Sequence, residues 1–238
     1  MSDMDVGRKT YDRLWRDCWG SMQGLGPVHR HIREDLIKRV RSLGVDSILD
    51  VGCGSGDNLA VLALLGVRQL AGIDISDEAL KRARDRVPAA QLSFLDIERA
   101  ALPQQFELVI SVQVLEHLLN DVAALSNIAK MSRRYVFVST MQGRMRSSEL
   151  DIGHVRNYSV VELHRKLDSA GLKPLQTYGW GFPFYSPFYR TIVEWIPGGP
   201  PAGPMGRASR LAAEALYQLY RLNWPGRGDV LSVLAARA

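Results

Sequence analysis

Between residues 45 and 180, short apolar blocks rich in β-branched residues alternate with segments whose apolar residues recur at helical spacing. The blocks are "SILDVG", "QLAGIDI", "QLSFLD", "FELVISV", "YVFVST" and "LKPLQTYGW"; the helical segments include "DEALKRARDRV", "DVAALSNIAKM" and "SVVELHRKLDSAG". Such alternation predicts an α/β architecture, a mainly parallel sheet with helices on both faces. Local signals agree. Ser76 is placed to cap a helix whose first turn carries Asp77 and Glu78. Ser159 and Glu162 have capping-box spacing, and Gly171 ends that helix.

Two flanking regions break the rhythm. Residues 1–44 read as a helical lead-in, with "YDRLWRDCWGSM" and then "HRHIREDLIKRVRSLG", where Ile32, Leu36, Ile37 and Val40 form one stripe. Residues 182–227 form an insertion rich in proline, glycine and aromatic residues. Its proline- and glycine-rich part at 197–206 reads as a loop, followed by a basic amphipathic helix with Leu211, Ala215, Leu219 and Leu222 aligned. "DVLSVLAA" reads as a last strand. The division is therefore a lead-in lid (1–44), a core (45–181 and 228–238) and an insertion (182–227) that caps an acceptor or forms an oligomer face.

Composition narrows the class. The chain has 238 residues, 46% hydrophobic and 23% charged, ordinary for a globular protein able to bury a core. Cys18 and Cys53 lack metal-ligand spacing, and the first residues carry no apolar leader, so a reducing cytoplasm is expected. A formal charge of +5 does not by itself imply nucleic acid. Val122 to Ser148 contains no acid but holds Lys130, Arg133, Arg134, Arg144 and Arg146. This is either a solvated face or contact with an anionic substrate or membrane surface.

The chemistry begins at "ILDVGCGSGDN", residues 48–58. Gly52, Gly54 and Gly56 let backbone approach a bulky ligand, but Asp57 stands where a dinucleotide fingerprint needs its last glycine. An acid at a helix head disfavours a pyrophosphate, and no Gly-Lys-Ser/Thr follows. Asp50, Asp74 and Asp96 recur at the carboxyl ends of successive strands. Asp74 can accept both hydroxyls of a ribose; Asp96 can accept from an exocyclic amine, with Ile97 on a base face.

These motifs together resemble class I S-adenosylmethionine-dependent methyltransferases. "DVGCGSG" matches that family's glycine loop, "GIDIS" its acidic second strand and "FLDIE" its adenine-contacting third. The resemblance implies a Rossmann-like seven-stranded sheet with an antiparallel last strand, with S-adenosylmethionine as cofactor and S-adenosylhomocysteine as product. Gly52, Cys53 and Gly54 would line the methionine part and Asp50 would orient its ammonium. Asp74 and Ile75 would hold the ribose, and Asp96 and Ile97 the adenine. Gln113, with Tyr11 and Arg33 from the lid, completes the expected cofactor set.

After the fourth strand comes "SVQVLEHLLND", and the Asn/Asp-Pro-Pro-Tyr signature of nucleobase or glutamine N-methylation is absent. "VLEHL" is similar to the small-molecule branch that includes ubiquinone-biosynthesis O-methyltransferases. Some relatives hold a divalent metal on Glu-x-x-Glu-His, but Gln113 replaces the first glutamate here, and no metal is expected. His117 and His154 are the catalytic candidates, one as base and one as orienter, with Glu116 holding a ring. Activity would then fall on acidification through the ordinary histidine pKa of about 6.5.

Trp180, Phe182, Phe184, Tyr185, Phe188, Tyr189 and Trp195 crowd one stretch of the insertion. They form a satellite core, a dimer face or a greasy acceptor pocket. The expected activity is methyl transfer, most readily to oxygen, on a small apolar or lipid-like acceptor. Membrane-surface contact, and a monomer or homodimer, are both compatible with this, and no nucleic-acid partner is favoured. The alternatives are a non-catalytic cofactor sensor or assembly subunit, and an RNA ribose or protein methyltransferase.

Overall fold

The computed structural model describes residues 3–19, 22–195 and 205–238, without the side chains of residues 3–8 and 18. Seven strands form one sheet in the order β3-β2-β1-β4-β5-β7-β6. They are β1 (Ser47–Val51), β2 (Gln69–Asp74), β3 (Gln91–Phe94), β4 (Phe106–Val112), β5 (Ser132–Met141), β6 (Leu172–Trp180) and β7 (Val230–Arg237). The first five are parallel, while β7 runs antiparallel between β5 and β6. Strand order reverses between β1 and β4, and the crevice at their carboxyl ends is where an open α/β sheet binds its ligand.

The two sides of β1 show why a continuous apolar run suits this position. Leu49 and Val51 face a core built with Leu125 and Ile128 of α6 (Asp121–Met131) and Leu163 and Leu167 of α8 (Val160–Ser169). Ile48 faces the other core. That core includes Leu36 and Val40 of α3 (Pro27–Leu43), Leu59 of α4 (Asp57–Leu64) and Leu80 of α5 (Asp77–Arg86). All five residues of β1 are buried, as a strand covered on both faces requires.

Ser76 accepts from the Ala79 N–H at 3.2 Å, and Ser159 from the Glu162 N–H at 3.1 Å. The capping-box expectation holds only by half, because the Glu162 carboxylate lies 2.8 Å from Lys166 and does not turn back. Pro27 starts α3 and Gly44 ends it in the left-handed conformation, φ 58°. Of the predicted stripe, Ile32, Leu36 and Val40 are buried, whereas Ile37 is half-buried.

The lead-in begins with α1 (Asp3–Leu14), a π-helical turn (Trp15–Trp19) and a short α2 (Met22–Leu25). In the insertion, the loop expected at 197–206 lies largely outside the described residues. Its helix is present as α10 (Arg207–Tyr220), but turned away from expectation. Ala213, Tyr217 and Tyr220 face inward, while Leu211 is 74% exposed and Leu222, just past the helix, is 63% exposed. The aromatic rings bury more area than the leucines would, so they decide the orientation.

The inward face of α10 packs on α3. His31 is sandwiched between Trp180 and Tyr217, with ring centroids 4.7 and 4.6 Å away. Tyr185 and Tyr189 reach the Tyr220 ring at 5.7 and 5.9 Å. Trp180 and Tyr185 therefore pack against the second main core and Tyr189 on the Tyr220 ring, whereas Phe188 and Trp195 are exposed. The basic stretch is largely engaged internally: Arg134 pairs with Glu107, and Arg144 and Arg146 both pair with Glu194. Among the described residues, no helix is long and apolar enough to cross a membrane.

Candidate active site

The glycine loop closes β1 onto α4 through three residues of positive φ, Gly52 at 71°, Gly54 at 54° and Gly56 at 78°. A side chain at Gly52 would collide with Val114, and one at Gly54 would come within 2.6 Å of the Trp15 ring. The loop is fixed from below. The N–H groups of Gly52 and Cys53 donate to the Ile73 carbonyl at 2.8 and 3.0 Å. Asp74 accepts from the Gly54 N–H and the Ser76 N–H, both at 2.9 Å. Asp57 pairs with Arg86 and accepts from Ser55 Oγ, so the acid at the head of α4 is already neutralised within the protein.

Asp50 is fully buried beneath this loop. One oxygen accepts from Asn58 Nδ2 at 3.4 Å; the other, Oδ1, has no partner. Burial away from water pushes its pKa up to about 8, and Asp74 is pushed up to about 6 by the same cause. An unpartnered buried carboxylate oxygen fits a ligand that brings a cationic or N–H group to that point. The sign for stability follows. From pH 4 to 8 the folded state holds a proton on Asp50 that the unfolded chain releases, so the burial penalty grows across this window. Asp50→Asn is expected to raise the melting temperature at pH 9 by about 5 °C and to leave it unchanged at pH 4. Thermal melts at the two pH values check this, and equal melting temperatures at pH 9 would contradict it.

The remaining predicted cofactor residues are placed as follows. Asp96 follows β3, accepts from the Glu98 N–H at 3.0 Å and lies 3.2 Å from Arg99. Ile97 is buried in the core, and Ile75 is half-buried beside Asp74. Cys53 is a buried free thiol whose pKa burial holds well above the usual range. Gln113 takes φ 56°, unusual for a residue with a side chain, and its buried Nε2 lacks a partner. Arg33 is engaged elsewhere: it donates to the carbonyls of Gln23 and Gly24 at 2.5 and 2.8 Å and clamps the lead-in onto α3.

The lead-in packs over the glycine loop and the start of α5. Asp12 accepts from Ser76 Oγ at 2.6 Å and the Glu78 N–H at 3.1 Å, which ties α1 to the start of α5. Trp15 is buried against Gly54. The rings of Tyr11 and Trp19 lie 6.2 and 5.7 Å from the His117 ring.

Beyond β4, a single 3₁₀ turn (Leu115–His117) carries Glu116 and His117. The loop after β5, which includes α7 (Ser147–Asp151), brings His154 against it. The Val155 N–H donates to the Glu116 carbonyl at 2.8 Å, and His117 Nδ1 lies 3.2 Å from the Gly153 carbonyl. The two imidazoles meet edge to face with centroids 4.6 Å apart. Ligand-type atoms of Glu116, His117 and His154 all lie within 4.8 Å of one another.

Here the expectation that Glu116 holds a histidine ring needs correcting. Its Oε2 accepts from Thr140 Oγ1 at 2.7 Å, and Oε1 has no partner. Burial pushes Glu116 up to about 7. Burial also pushes His117 down to about 3, with His154 adding to the effect, and His154 down to about 4, with Arg190 adding. Both imidazoles are therefore neutral across the physiological range, and Glu116 is the group that titrates near neutrality.

The insertion reaches this cluster through α9 (Arg190–Glu194). Arg190 pairs with Glu149 and Asp229 and donates to the Arg144 carbonyl. Glu149 in turn accepts the His154 N–H at its backbone oxygen, 2.9 Å. An open cavity of about 460 Å³ lies alongside, lined by Gln142, Asn157, Tyr158 and Asp229 among others. Thr140, Asp12, Trp19 and the Arg190 network escape sequence reading, because each is joined to its partner only by the fold.

Comparison with known proteins bears on the domain and the fold. Residues 49–136 match the family described as "Methyltransferase domain". The chain is 31% identical over 133 residues to the ubiquinone biosynthesis O-methyltransferase of Azoarcus sp. (strain BH72), a match covering 52% of this chain and 57% of that protein. Magnesium protoporphyrin IX methyltransferase from Synechocystis PCC 6803, solved with bound SAH, has the same fold: TM-score 0.64, 14% identity, 99% of this chain and 100% of that one. The [4+2]-cyclase SpnF also shares it, with TM-score 0.60, 18% identity and coverage of 88% and 81%. The fold thus hosts more than one chemistry, and the site must carry the functional argument.

Proposed function

We propose that this chain, a class I S-adenosylmethionine-dependent methyltransferase by its domain and fold, transfers a methyl group to an oxygen of a small, apolar or lipid-like acceptor. One observation carries the reading: Glu116, His117 and His154 converge at the carboxyl ends of β4 and β5, on the turn whose Val114 abuts Gly52. The acceptor-side groups thus adjoin the cofactor loop.

Bound S-adenosylmethionine supplies a methyl group activated by its sulfonium. The protein supplies position and dryness. When the cofactor is bound, Asp74 would hold the ribose hydroxyls, Asp50 Oδ1 the ammonium end and Asp96 the adenine amine. Gln113, whose buried Nε2 lacks a partner, would donate to the methionine part. His117, with Nδ1–H donating to the Gly153 carbonyl, keeps Nε2 free to take the acceptor's hydroxyl proton. Ionised Glu116 beside it stabilises the imidazolium that results. Arg190 fixes the insertion beside His154, so the insertion walls the acceptor.

The test is transfer of labelled methyl to a panel of hydroxylated apolar compounds, together with calorimetry of S-adenosylmethionine, S-adenosylhomocysteine and NAD. Binding of the first two without NAD, with label on oxygen, supports the reading. Tight NAD binding, or cofactor binding without any transfer, overturns it.

A second reading rests on the compactness of the trio, since Glu116, His117 and His154 have the donor types of a divalent-metal site. We favour metal-free transfer, because Gln113 offers an amide where a further carboxylate would be needed. Enzyme dialysed against a chelator is expected to retain its full turnover. Loss of activity restored by added magnesium or zinc would assign the trio to metal instead.

A further inference from the structure

We propose that the outward face of α10 and the turn after it form a docking surface for an anionic lipid bilayer. The face that α10 turns to solvent carries Leu211 and Ala215, and Leu222 continues the same line. Trp224 follows, 55% exposed, with its ring 5.4 Å from Phe182. The apolar line has no partner among the described residues, and the helix buries a different set, Ala213, Tyr217 and Tyr220. The helix therefore has two apolar faces, one needed for folding and one left to water. A row of exposed leucine and tryptophan of this kind marks a contact surface.

Charge selects the occupant. Arg207, Arg210, Arg221 and Arg227 are all exposed along this stretch. None is ion-paired with a carboxylate among the described residues. Arg210 donates to a backbone carbonyl, Arg221 to Gln218, and Arg227 lies over the Phe182 ring. The acids of the insertion are otherwise engaged: Glu214 with Arg30 of α3, and Glu194 with Arg144 and Arg146. An apolar stripe bordered by unpaired arginines on a helix lying flat against its own protein is the arrangement that settles into a headgroup layer. A second protein would need shape complementarity that a convex helix bordered by four arginines does not offer.

The test is independent of the acceptor's identity. The full-length protein is sedimented with vesicles of phosphatidylcholine alone and of phosphatidylcholine with about one-third phosphatidylglycerol. Binding is expected only to the anionic vesicles and should weaken with added salt. Leu211→Asp with Leu222→Asp, and separately Arg210→Glu with Arg221→Glu, should each lower binding about tenfold. Melting temperature and S-adenosylhomocysteine affinity are expected to be unchanged in both, since none of these side chains lies in the core or near the cofactor loop. Absence of anionic-vesicle binding, or binding unaltered by both pairs, overturns the proposal. So does a dimer in solution that the leucine pair dissociates, because a second copy would then occupy the face.

Discussion

Replacing Asp74 by alanine is expected to weaken S-adenosylmethionine binding about a hundredfold or more. Each hydrogen bond from a ribose hydroxyl to a carboxylate is worth about 1.5–3 kcal/mol, and the side chain can accept two. The same carboxylate accepts from the Gly54 and Ser76 N–H groups, so the variant also loosens the loop it anchors. Asp74→Asn separates the two effects, since its amide oxygen can keep one of those anchors. The asparagine variant should lose affinity while lowering the melting temperature less than alanine does. The pKa of about 6 adds a second signature: wild-type affinity falls as pH drops through 6, where the acceptor becomes protonated. Calorimetry across pH 5 to 8 measures both effects. Unchanged affinity in the alanine variant would remove the ribose assignment.

His117→Ala and His154→Ala are each expected to lower turnover about a hundredfold while cofactor affinity stays near normal. The pH profile then identifies which group titrates. Acidification from pH 8 to 6 leaves both imidazoles neutral, since they are held near 3 and 4, but protonates Glu116, held near 7. Turnover should therefore rise with pH through about 7, and this limb should vanish in Glu116→Gln. An acid limb that persists in Glu116→Gln would return the titration to a histidine. If both histidine variants turn over normally, positioning alone drives transfer and the acceptor arrives already ionised.

The legible part of this protein is the part encoded within a few residues. The glycine loop, the strand-end acids and the caps at Ser76 and Ser159 each depend on neighbours in the chain, so spacing reveals them. The pairing of His117 with His154 was accessible one step further, because β4 and β5 are adjacent in this sheet order. The Glu116–Thr140 bond, Asp12 on Ser76, and Arg190 between Glu149 and Asp229 join residues that are 24, 64 and about 40 positions apart. No local pattern marks them. The leucines of α10 mislead for a different reason: two stripes share the helical period, and only the company of Trp180 and His31 decides which one turns inward. The histidine pKa values follow the same rule, since burial is a property of the assembled site.

On the proposed reading of His117 as base, the contact of Tyr11 and Trp19 with its ring gives the lead-in a part in proton release. With Tyr11 and Trp19 against it, the His117 ring is only partly open to water, and on the proposed reading a proton it takes from the acceptor has the Glu116 carboxylate close by. If His117 is the base, as proposed, any movement of α1 off the site would wet the imidazole and let that proton pass to bulk solvent. On that reading the same helix would govern both the wetting of the base and access to the pocket.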